Sequence, residues 1–250
     1  MRIHQLHTLY QTRLERSTKP FNARGAKVKR CSYCQIAIPH CTCQYQPNVD
    51  SELAAMIIMS DNEILKPSNT GRLIADVIKE TYGFAWNRTE PDEDMLAILA
   101  DEQYQPIIVF PEEYVENNNR LVASFECSTA MFNANKKPLL IFLDGSWREA
   151  RKMFRKSSYL ENLPVFSVNP SVVSQYIMRK SENENHLATA EVASLVIGEA
   201  GEANAADVLA SWFDVFNESY MLSKTRIKPD LSKPCLASYI ENGFDKLSEK

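Results

Sequence analysis

Glycine is scarce in this sequence, and the phosphate-binding motifs that depend on it are missing. Only 7 of the 250 residues are glycine, and they form neither a P-loop nor a G-x-G-x-x-G fingerprint. In those motifs glycine lets the backbone approach a phosphate group closely. A nucleotide-like ligand would therefore need a different kind of binding site.

Residue patterns typical of hydrolases are also absent. The four histidines show no metalloprotease spacing, and no Ser–His–Asp arrangement is indicated. Two isolated cysteines, Cys127 and Cys235, have no neighbouring base in sequence. We therefore expect both to be ordinary buried thiols.

Long apolar runs are lacking as well. No run approaches the ~20 residues that cross a bilayer. Residues 1–16 lack the apolar core of a signal peptide, and the spacing of Ile3, Leu6, Tyr10 and Leu14 predicts an amphipathic helix there. We expect a cytoplasmic protein without membrane contact, in which thiols stay reduced.

Charge is unevenly distributed along the chain. The net charge of −4 argues against a general nucleic-acid binder. Residues 146–156 nevertheless carry five basic side chains and Glu149, which sum to +4. A basic patch on an acidic protein can attract polyanions, although a solvated helix face would show the same pattern.

The stretch 139–156 combines a predicted strand, a turn and a predicted helix. Five apolar residues run into Asp144 and Gly145, a turn dipeptide. Ser146 can cap the helix that follows, and Glu149 completes a capping box. Trp147 falls on the apolar side of this helix. Its basic side consists of Arg148, Arg151, Lys152 and Arg155.

Two residues of this stretch have alternative interpretations. Asp144 follows a strand, where open α/β sheets bind ligands, but it could equally be a turn residue. Partial burial would raise its pKa above the usual value of about 3.9 and make it a better base. Trp147 could stack on a nucleobase, although its spacing favours a place in the core.

Buried strands alternate with helical stretches along the chain, which predicts an α/β fold with a parallel sheet. The predicted strands are 53–59, 106–110, 139–143 and 164–168. The predicted helices are 1–20, 72–81, 92–103, part of 112–136, 189–199 and 205–222.

Four cysteines form a C-x2-C-x6-C-x-C cluster: Cys31, Cys34, Cys41 and Cys43. Four thiolates this close in sequence can hold one tetrahedral structural Zn²⁺, whose binding would fold the short segment. One alternative is a pair of disulfides, which a reducing cytoplasm disfavours. Another is a three-cysteine site with His40 as fourth ligand.

Polar residues elsewhere could bind a ligand or be only structural. Arg179 could clamp a phosphate or carboxylate, or pair with Glu182. Thr189 could cap a helix, with Glu191 helping at its positive end. Asn69 and Thr70 could likewise be only a cap.

In combination these motifs resemble the DTW-domain family, named for Asp-x-Thr/Ser-Trp. Residues 144–147 match that motif, with Ser146 where threonine is commoner. The other matching motifs follow in the expected order over residues 30–200. They are the cysteine cluster, Asn69-Thr70, Phe110-Pro111, Tyr176-x2-Arg179 and Thr189-x-Glu191.

The resemblance implies a SPOUT-like parallel sheet with a C-terminal trefoil knot, preceded by a small zinc-binding segment. We expect residues 1–50 to contain the N-terminal helix and zinc segment and residues 51–250 to form the catalytic domain. The implied cosubstrate is S-adenosylmethionine. The implied reaction moves its 3-amino-3-carboxypropyl group to N3 of a uridine in tRNA.

The resemblance also implies roles for single residues. Asp144 would accept or orient the uridine N–H proton, Ser146 would position the base or the carboxypropyl carboxylate, and Trp147 would support the pocket wall. The zinc segment and the basic side of the helix would bind the tRNA backbone. The implied cosubstrate site comprises Asn69, Thr70, Phe110, Pro111, Asp144, Arg179, Thr189 and Glu191.

Two other functions are compatible with the sequence. One is an S-adenosylmethionine-dependent RNA methyltransferase on a related fold, which would release S-adenosylhomocysteine. The other is a zinc-containing RNA-binding module without catalytic activity. The sequence does not distinguish a monomer from a homodimer.

Overall fold

The structure, a computed structural model, describes residues 1–18, 28–126, 133–168, 187–223 and 230–243. In that part of the chain the strands are β1 Ala54–Met59, β2 Thr81–Ala85, β3 Tyr104–Val109, β4 Leu121–Val122, β5 Lys137–Asp144 and β6 Val165–Phe166. The α-helices are α1 Gln5–Glu15, α2 Asp61–Ile64, α3 Gly71–Val77, α4 Glu93–Ala100, α5 Trp147–Lys156, α6 Thr189–Glu199, α7 Ala203–Met221 and α8 Pro234–Glu241.

The six strands form one all-parallel sheet in the order β2-β1-β5-β3-β6-β4. Strand β5 lies between β1 and β3, and Met59 of β1 is in register with Asp144 of β5. The N–H of Ser60 donates to the carbonyl of Asp144 at 2.9 Å. The carboxyl ends of β1 and β5 therefore meet at one edge of the sheet.

Each face of the sheet has its own apolar core. Because side chains alternate along a strand, Leu140 and Phe142 pack on one face, and Leu139 and Ile141 pack on the other. Helices α1, α3, α6, α7 and α8 cover the Phe142 face, whereas α4 and α5 cover the opposite face. The result is a three-layer α/β/α arrangement.

The predicted parallel α/β sheet is confirmed, but some elements differ from the prediction. The helix predicted over 72–81 ends at Val77, and Thr81 begins β2 instead. Pairing with β1 decides this segment, because parallel hydrogen bonds to a buried strand outweigh weak local helix propensity. The described part of 112–136 contains two 3₁₀ turns and β4 rather than an α-helix.

The N-terminal helix is confirmed over Gln5–Glu15 and packs against the sheet edge. A Cβ at Gly83 of β2 would lie only 2.9 Å from the side chain of Leu6, so glycine allows this close contact. None of the described helices is long and apolar enough to cross a bilayer. Cys127 and Arg179 lie outside the described residues.

Candidate functional site

Asp144 is the last residue of β5, and its side chain joins three parts of the chain. The residue is only 3% exposed. Asn69 Nδ2 donates to Oδ2 at 2.6 Å, and Thr189 Oγ1 donates to Oδ1 at 2.7 Å. The turn interpretation of Asp144 is therefore insufficient, because both carboxylate oxygens are bonded to side chains distant in sequence.

The partners of Asp144 are themselves held in place. Asn69 Oδ1 accepts the backbone N–H of Arg72 at 3.3 Å, and Thr70 Oγ1 accepts the backbone N–H of Ala190 at 3.4 Å. Thr70 is the N-cap residue of α3 but makes no capping bond with its side chain, whereas Asn69 bonds an N–H of the first turn and so caps α3 as well as contacting Asp144. The N-cap of α6 is Ala188 rather than Thr189, so the capping interpretation of Thr189 is wrong.

Gly71 allows the loop before α3 to approach the carboxyl group. A Cβ at this position would collide with Asp144 Oδ2 and lie 3.1 Å from its Cγ. Any larger residue would therefore displace the Asp144 side chain or the start of α3. This contact could not be predicted from neighbouring residues, because it depends on how the loop packs against β5.

Burial raises the pKa of Asp144 to about 6. The negative charge of Glu63 raises it further, whereas the hydrogen bonds from Asn69 and Thr189 and the charge of Arg72 lower it. At neutral pH the carboxylate form still predominates. A carboxylate with a pKa near 6 is a better proton acceptor than an ordinary aspartate.

The capping box predicted at the start of α5 is confirmed. Ser146 Oγ accepts the N–H of Glu149, and Glu149 Oε2 accepts the N–H of Ser146 at 2.9 Å. Glu191 plays the same part in α6, because its carboxylate accepts the N–H of Ala188 at 2.8 Å. These local bonds fix the first turns of both helices beside Asp144.

Trp147 is not part of the core, so the interpretation that its spacing favoured is wrong. Its side chain is 43% exposed. The ring stacks on Phe110 with 5.6 Å between centroids and 11° between planes. Tyr114 meets it edge-on at 5.2 Å. The buried residues of α5 are instead Ala150, Met153 and Phe154.

The predicted basic side of α5 is present, and its members differ in surroundings. Arg148, Lys152 and Arg155 are exposed. Arg151 is half-buried, with its guanidinium 4.8 Å from the centroid of Tyr114. Aromatic side chains therefore lie directly beside this cationic surface.

The four clustered cysteines converge, as predicted. Their sulfur atoms lie within 4.8 Å of one another, with Cys31–Cys43 at 3.6 Å and Cys34–Cys41 at 3.7 Å. A tetrahedron with Zn–S bonds of about 2.3 Å has edges of about 3.8 Å, so a zinc ion fits. The disulfide interpretation is wrong, because all four are free thiols. Four sulfurs complete such a site without His40.

Other predicted cosubstrate residues lie apart from Asp144. The side chain of Phe110 is buried under Trp147, in the core on the opposite face of the sheet. Pro111 precedes the 3₁₀ turn Glu112–Tyr114. The charges of Glu63 and Arg72 act on Asp144, yet neither residue was predicted, since nothing local distinguishes them from surface residues.

A second buried cluster, His4, His7 and Asp76, has the composition of a metal site. Their ligand atoms lie within 4.8 Å of one another, but these groups already contact each other, since the imidazoles are stacked at 3.7 Å and 21°. Asp76 also accepts hydrogen bonds from His4 Nε2 at 3.2 Å, Gln46 Nε2 at 2.6 Å and Trp212 Nε1 at 2.9 Å. The cluster is a structural hydrogen-bond network.

The fold and the site define the class of protein: it is an α/β protein with an all-parallel sheet, a buried carboxyl group at the carboxyl edge of that sheet and a four-cysteine cluster that could hold zinc. The chain belongs to the DTW-domain family, whose family model matches residues 28–221. The predicted resemblance is thereby confirmed, and membership is consistent with a tRNA-modifying enzyme. No solved structure matches the chain.

Proposed function

We propose that this protein transfers the 3-amino-3-carboxypropyl group of S-adenosylmethionine to N3 of a uridine in tRNA. The observation that carries the proposal is the buried Asp144, whose pKa is raised to about 6 at the carboxyl edge of the sheet. Membership of the DTW-domain family supports tRNA as the partner. The SPOUT-like fold with a C-terminal knot belongs to the same proposal.

The reaction needs a proton acceptor more than it needs an activated electrophile. When bound, S-adenosylmethionine supplies a sulfonium leaving group and the γ-carbon that is transferred. Uridine N3 forms a bond to that carbon, the carbon–sulfur bond breaks, and methylthioadenosine leaves with the electron pair. The N3 proton must go to a base, because the imide is protonated at neutral pH.

Asp144 is the proposed base. Each carboxylate oxygen has two acceptor sites, and each is occupied here by one hydrogen bond, from Asn69 or Thr189. Since the described residues show one side-chain hydrogen bond to each oxygen, the uridine N–H would take the second acceptor site of one of them. Asn69 and Thr189 act as positioning residues that aim the carboxylate. Ser146 is exposed at the start of α5 and would hold the base or the carboxypropyl carboxylate.

The charges around Asp144 suit a cationic sulfonium. The negative charge of Glu63 raises the pKa of Asp144, and a bound cation would stabilise the Asp144 carboxylate. We retain the predicted cosubstrate set as a proposal. Within it, the side chains of Asn69 and Thr189 serve Asp144, so their contact with the cosubstrate would come from backbone groups.

The tRNA would contact the exposed cations of α5 and the zinc segment. Arg148, Lys152 and Arg155 are free of carboxylate partners among the described ion pairs. We also propose that the enzyme is cytoplasmic, and that the N-terminal helix and zinc segment (residues 1–50) precede a catalytic domain (residues 51–250). Phosphate contacts of this kind weaken steeply with added salt.

The direct test is to incubate the zinc-loaded protein with S-adenosylmethionine and unmodified tRNA. We expect methylthioadenosine and a uridine whose mass has increased by one aminocarboxypropyl group. Release of S-adenosylhomocysteine would show methyl transfer instead. Tight tRNA binding without any product would indicate a non-catalytic RNA-binding module.

The role of Asp144 predicts a particular pH dependence. Because the carboxylate form is required, transfer should rise about tenfold per pH unit below pH 6 and level off above it. Asp144→Asn should lower the rate on the order of 100-fold or more. Asp101→Asn, at an exposed carboxylate, is the matched control. A rate that is flat from pH 5 to 8 would remove Asp144 as the base.

A further inference from the structure

Trp147 is the outermost member of a stack of three aromatic rings. Phe110 lies parallel to Trp147 on one side and to Phe154 on the other, with 4.3 Å and 8° between the two phenylalanine rings. Phe110 and Phe154 are 5% and 7% exposed, whereas Trp147 is 43% exposed. Phe110 stacks on one face of the indole, and among the described residues no ring stacks on the opposite face, the open face.

The indole is held firmly although it is exposed. It occupies the first position of α5, where the Ser146–Glu149 capping box fixes the backbone. Tyr114 supports it edge-on, and the Arg151 guanidinium lies over the Tyr114 ring. A large apolar surface in a fixed position loses little conformational entropy on binding. The open face is therefore a prepared stacking surface.

This surface and the Asp144 carboxyl lie at the same edge of the sheet but on opposite faces. Asp144 follows Phe142 by two residues, so both side chains project to the face covered by α6. Phe110 and Phe154 belong to the core on the other face. A base stacked on the open indole face therefore lies on the other side of the sheet from the Asp144 carboxyl group.

The surroundings of the indole favour a nucleotide over an apolar partner. Residues 146–156 sum to +4, and Arg148, Lys152 and Arg155 on α5 are exposed. Proteins that bind unpaired nucleic acid usually place cations next to an exposed aromatic ring. The bases stack on the ring, and the phosphates bind the cations.

We infer that the open face of Trp147 stacks on a base next to the target uridine, in an unpaired stretch of the tRNA. This rests on the proposed function. The RNA strand crosses the carboxyl edge of the sheet, with the target uridine turned toward Asp144 and its neighbour placed on Trp147. Trp147 thus acts on the base beside the reacting one.

The first experiment measures binding of unmodified tRNA without S-adenosylmethionine over a range of salt concentrations. Trp147→Ala should weaken binding by about 10-fold at every salt concentration without changing the slope, because stacking releases no counterions. Trp147→Phe should retain most of the affinity. Arg148→Gln or Arg155→Gln should instead reduce the slope. Ile240→Ala, an exposed apolar residue on α8, is the control.

The second experiment identifies the base that stacks. Stem-loop RNAs are made with an abasic site at the modified uridine or at either flanking position. With an abasic flanking site, Trp147→Ala should cause no further loss of affinity. With an abasic target site, the loss caused by Trp147→Ala should persist.

The outcomes separate this inference from the proposed function. Methylthioadenosine formation with unchanged affinity in Trp147→Ala would overturn the stacking role and leave the enzyme assignment intact. If the affinity loss caused by Trp147→Ala disappeared instead with an abasic target site, Trp147 would stack on the target uridine itself. That result would also overturn the inference. If no product forms, an abasic site can be placed at each position of the bound stem-loop in turn. The base that stacks on Trp147 is the one whose removal abolishes the affinity loss in Trp147→Ala, and finding no such base overturns the inference.

Discussion

At the scale of single residues, Asp144 is placed where its charge is disfavoured. Burial opposes ionisation, whereas the hydrogen bonds from Asn69 and Thr189 favour it, and burial is the larger effect. Folded proteins tolerate such residues mainly at functional sites, where they reduce stability in favour of reactivity. The stability of Asp144 variants therefore reports on the site independently of any reaction.

We predict that Asp144→Asn is more stable than the wild-type protein at pH 7, by about 1–3 kcal/mol. The folded pKa is raised to about 6 from an unfolded value of 3.8. Protonation therefore stabilises the fold below pH 3.8, and this contribution is lost as the pH rises through 6. Asparagine can still accept from Asn69 and donate to Thr189. Urea unfolding at pH 7 and pH 4 measures the difference, which should shrink at pH 4. A less stable variant at pH 7 would contradict a buried, charged Asp144.

Gly71→Ala should disrupt the site through a single methyl group. The new Cβ would overlap Asp144 Oδ2, so we expect a loss of about 1–3 kcal/mol in unfolding free energy and a loss of transfer activity. Gly198→Ala in α6 is the matched control, since its Cβ would meet Ala206 at an ordinary 3.6 Å. That variant should be neutral or slightly stabilised, because alanine favours a helix over glycine. Equal effects of both substitutions would argue against a specific contact at Gly71.

At the scale of elements, two short segments depend on more than their own packing. Helix α5 has 10 residues, a length at which an isolated helix is marginal in water, so its capping box matters. The segment around the cysteines consists of turns and two 3₁₀ helices. It contributes few residues to the core, among them Ile36. A bound metal would supply much of its folding free energy.

We predict about one zinc ion per chain and selective loss of structure in residues 31–43 when zinc is removed. Metal analysis, followed by hydrogen exchange before and after chelation, tests this. Amides of the cysteine segment should lose protection, while those of β1 and β5 should keep it. Cys43→Ser should lower the zinc content, and Cys235→Ser should not, because Cys235 lies outside the cluster. Metal-free protein with unchanged exchange would contradict a structural zinc site.

At the scale of the whole molecule, the network around Asp76 links distant parts of the chain. His4 precedes α1, Gln46 follows the cysteine segment, and Trp212 lies in α7, and all three donate to the Asp76 carboxylate. The guanidinium of Arg2 also donates to the carbonyl of Asp76 at 2.7 Å. The N-terminal segment therefore packs against the sheet domain and is hydrogen-bonded to it.

This network predicts a loss of stability in mild acid. Burial, with smaller contributions from the charges of His4, Arg72 and Arg2, lowers the pKa of His7 to about 4 from 6.5. As the pH falls from 6.5 to 4, the unfolded chain binds a proton that folded His7 does not, so stability decreases by about 1–2 kcal/mol.

Comparison of wild-type protein with His7→Asn tests the acid effect. Asparagine Oδ1 can accept the His4 N–H that His7 Nδ1 accepts at 3.2 Å, so the variant removes the titrating group and keeps that bond. Between pH 6.5 and 4 its stability should fall less than that of the wild type. Asp144 titrates in the same pH range and changes the stability in the opposite direction, but it does so equally in both proteins. Its contribution therefore cancels when the two stability changes are subtracted. Parallel stability curves would exclude His7.

The sequence determined the features that depend on neighbouring residues. The strand leading to Asp144, the Ser146–Glu149 capping box and the bounds of the helix over 189–199 could all be predicted, because periodicity and caps are local. The cysteine cluster was predictable from spacing for the same reason. So was the parallel sheet, since strands separated by helices can hardly pair otherwise.

Tertiary structure alone decided what lies around those features. Asn69 and Thr189 reach Asp144 from 75 and 45 residues away, and β2 exists because β1 offers it a partner. Trp147 fits an apolar helix position, yet it is exposed, since Phe110 and Phe154 already fill the core beneath it. A local pattern can assign a residue to a face of its element, but only packing decides whether that face is covered, and by which side chains.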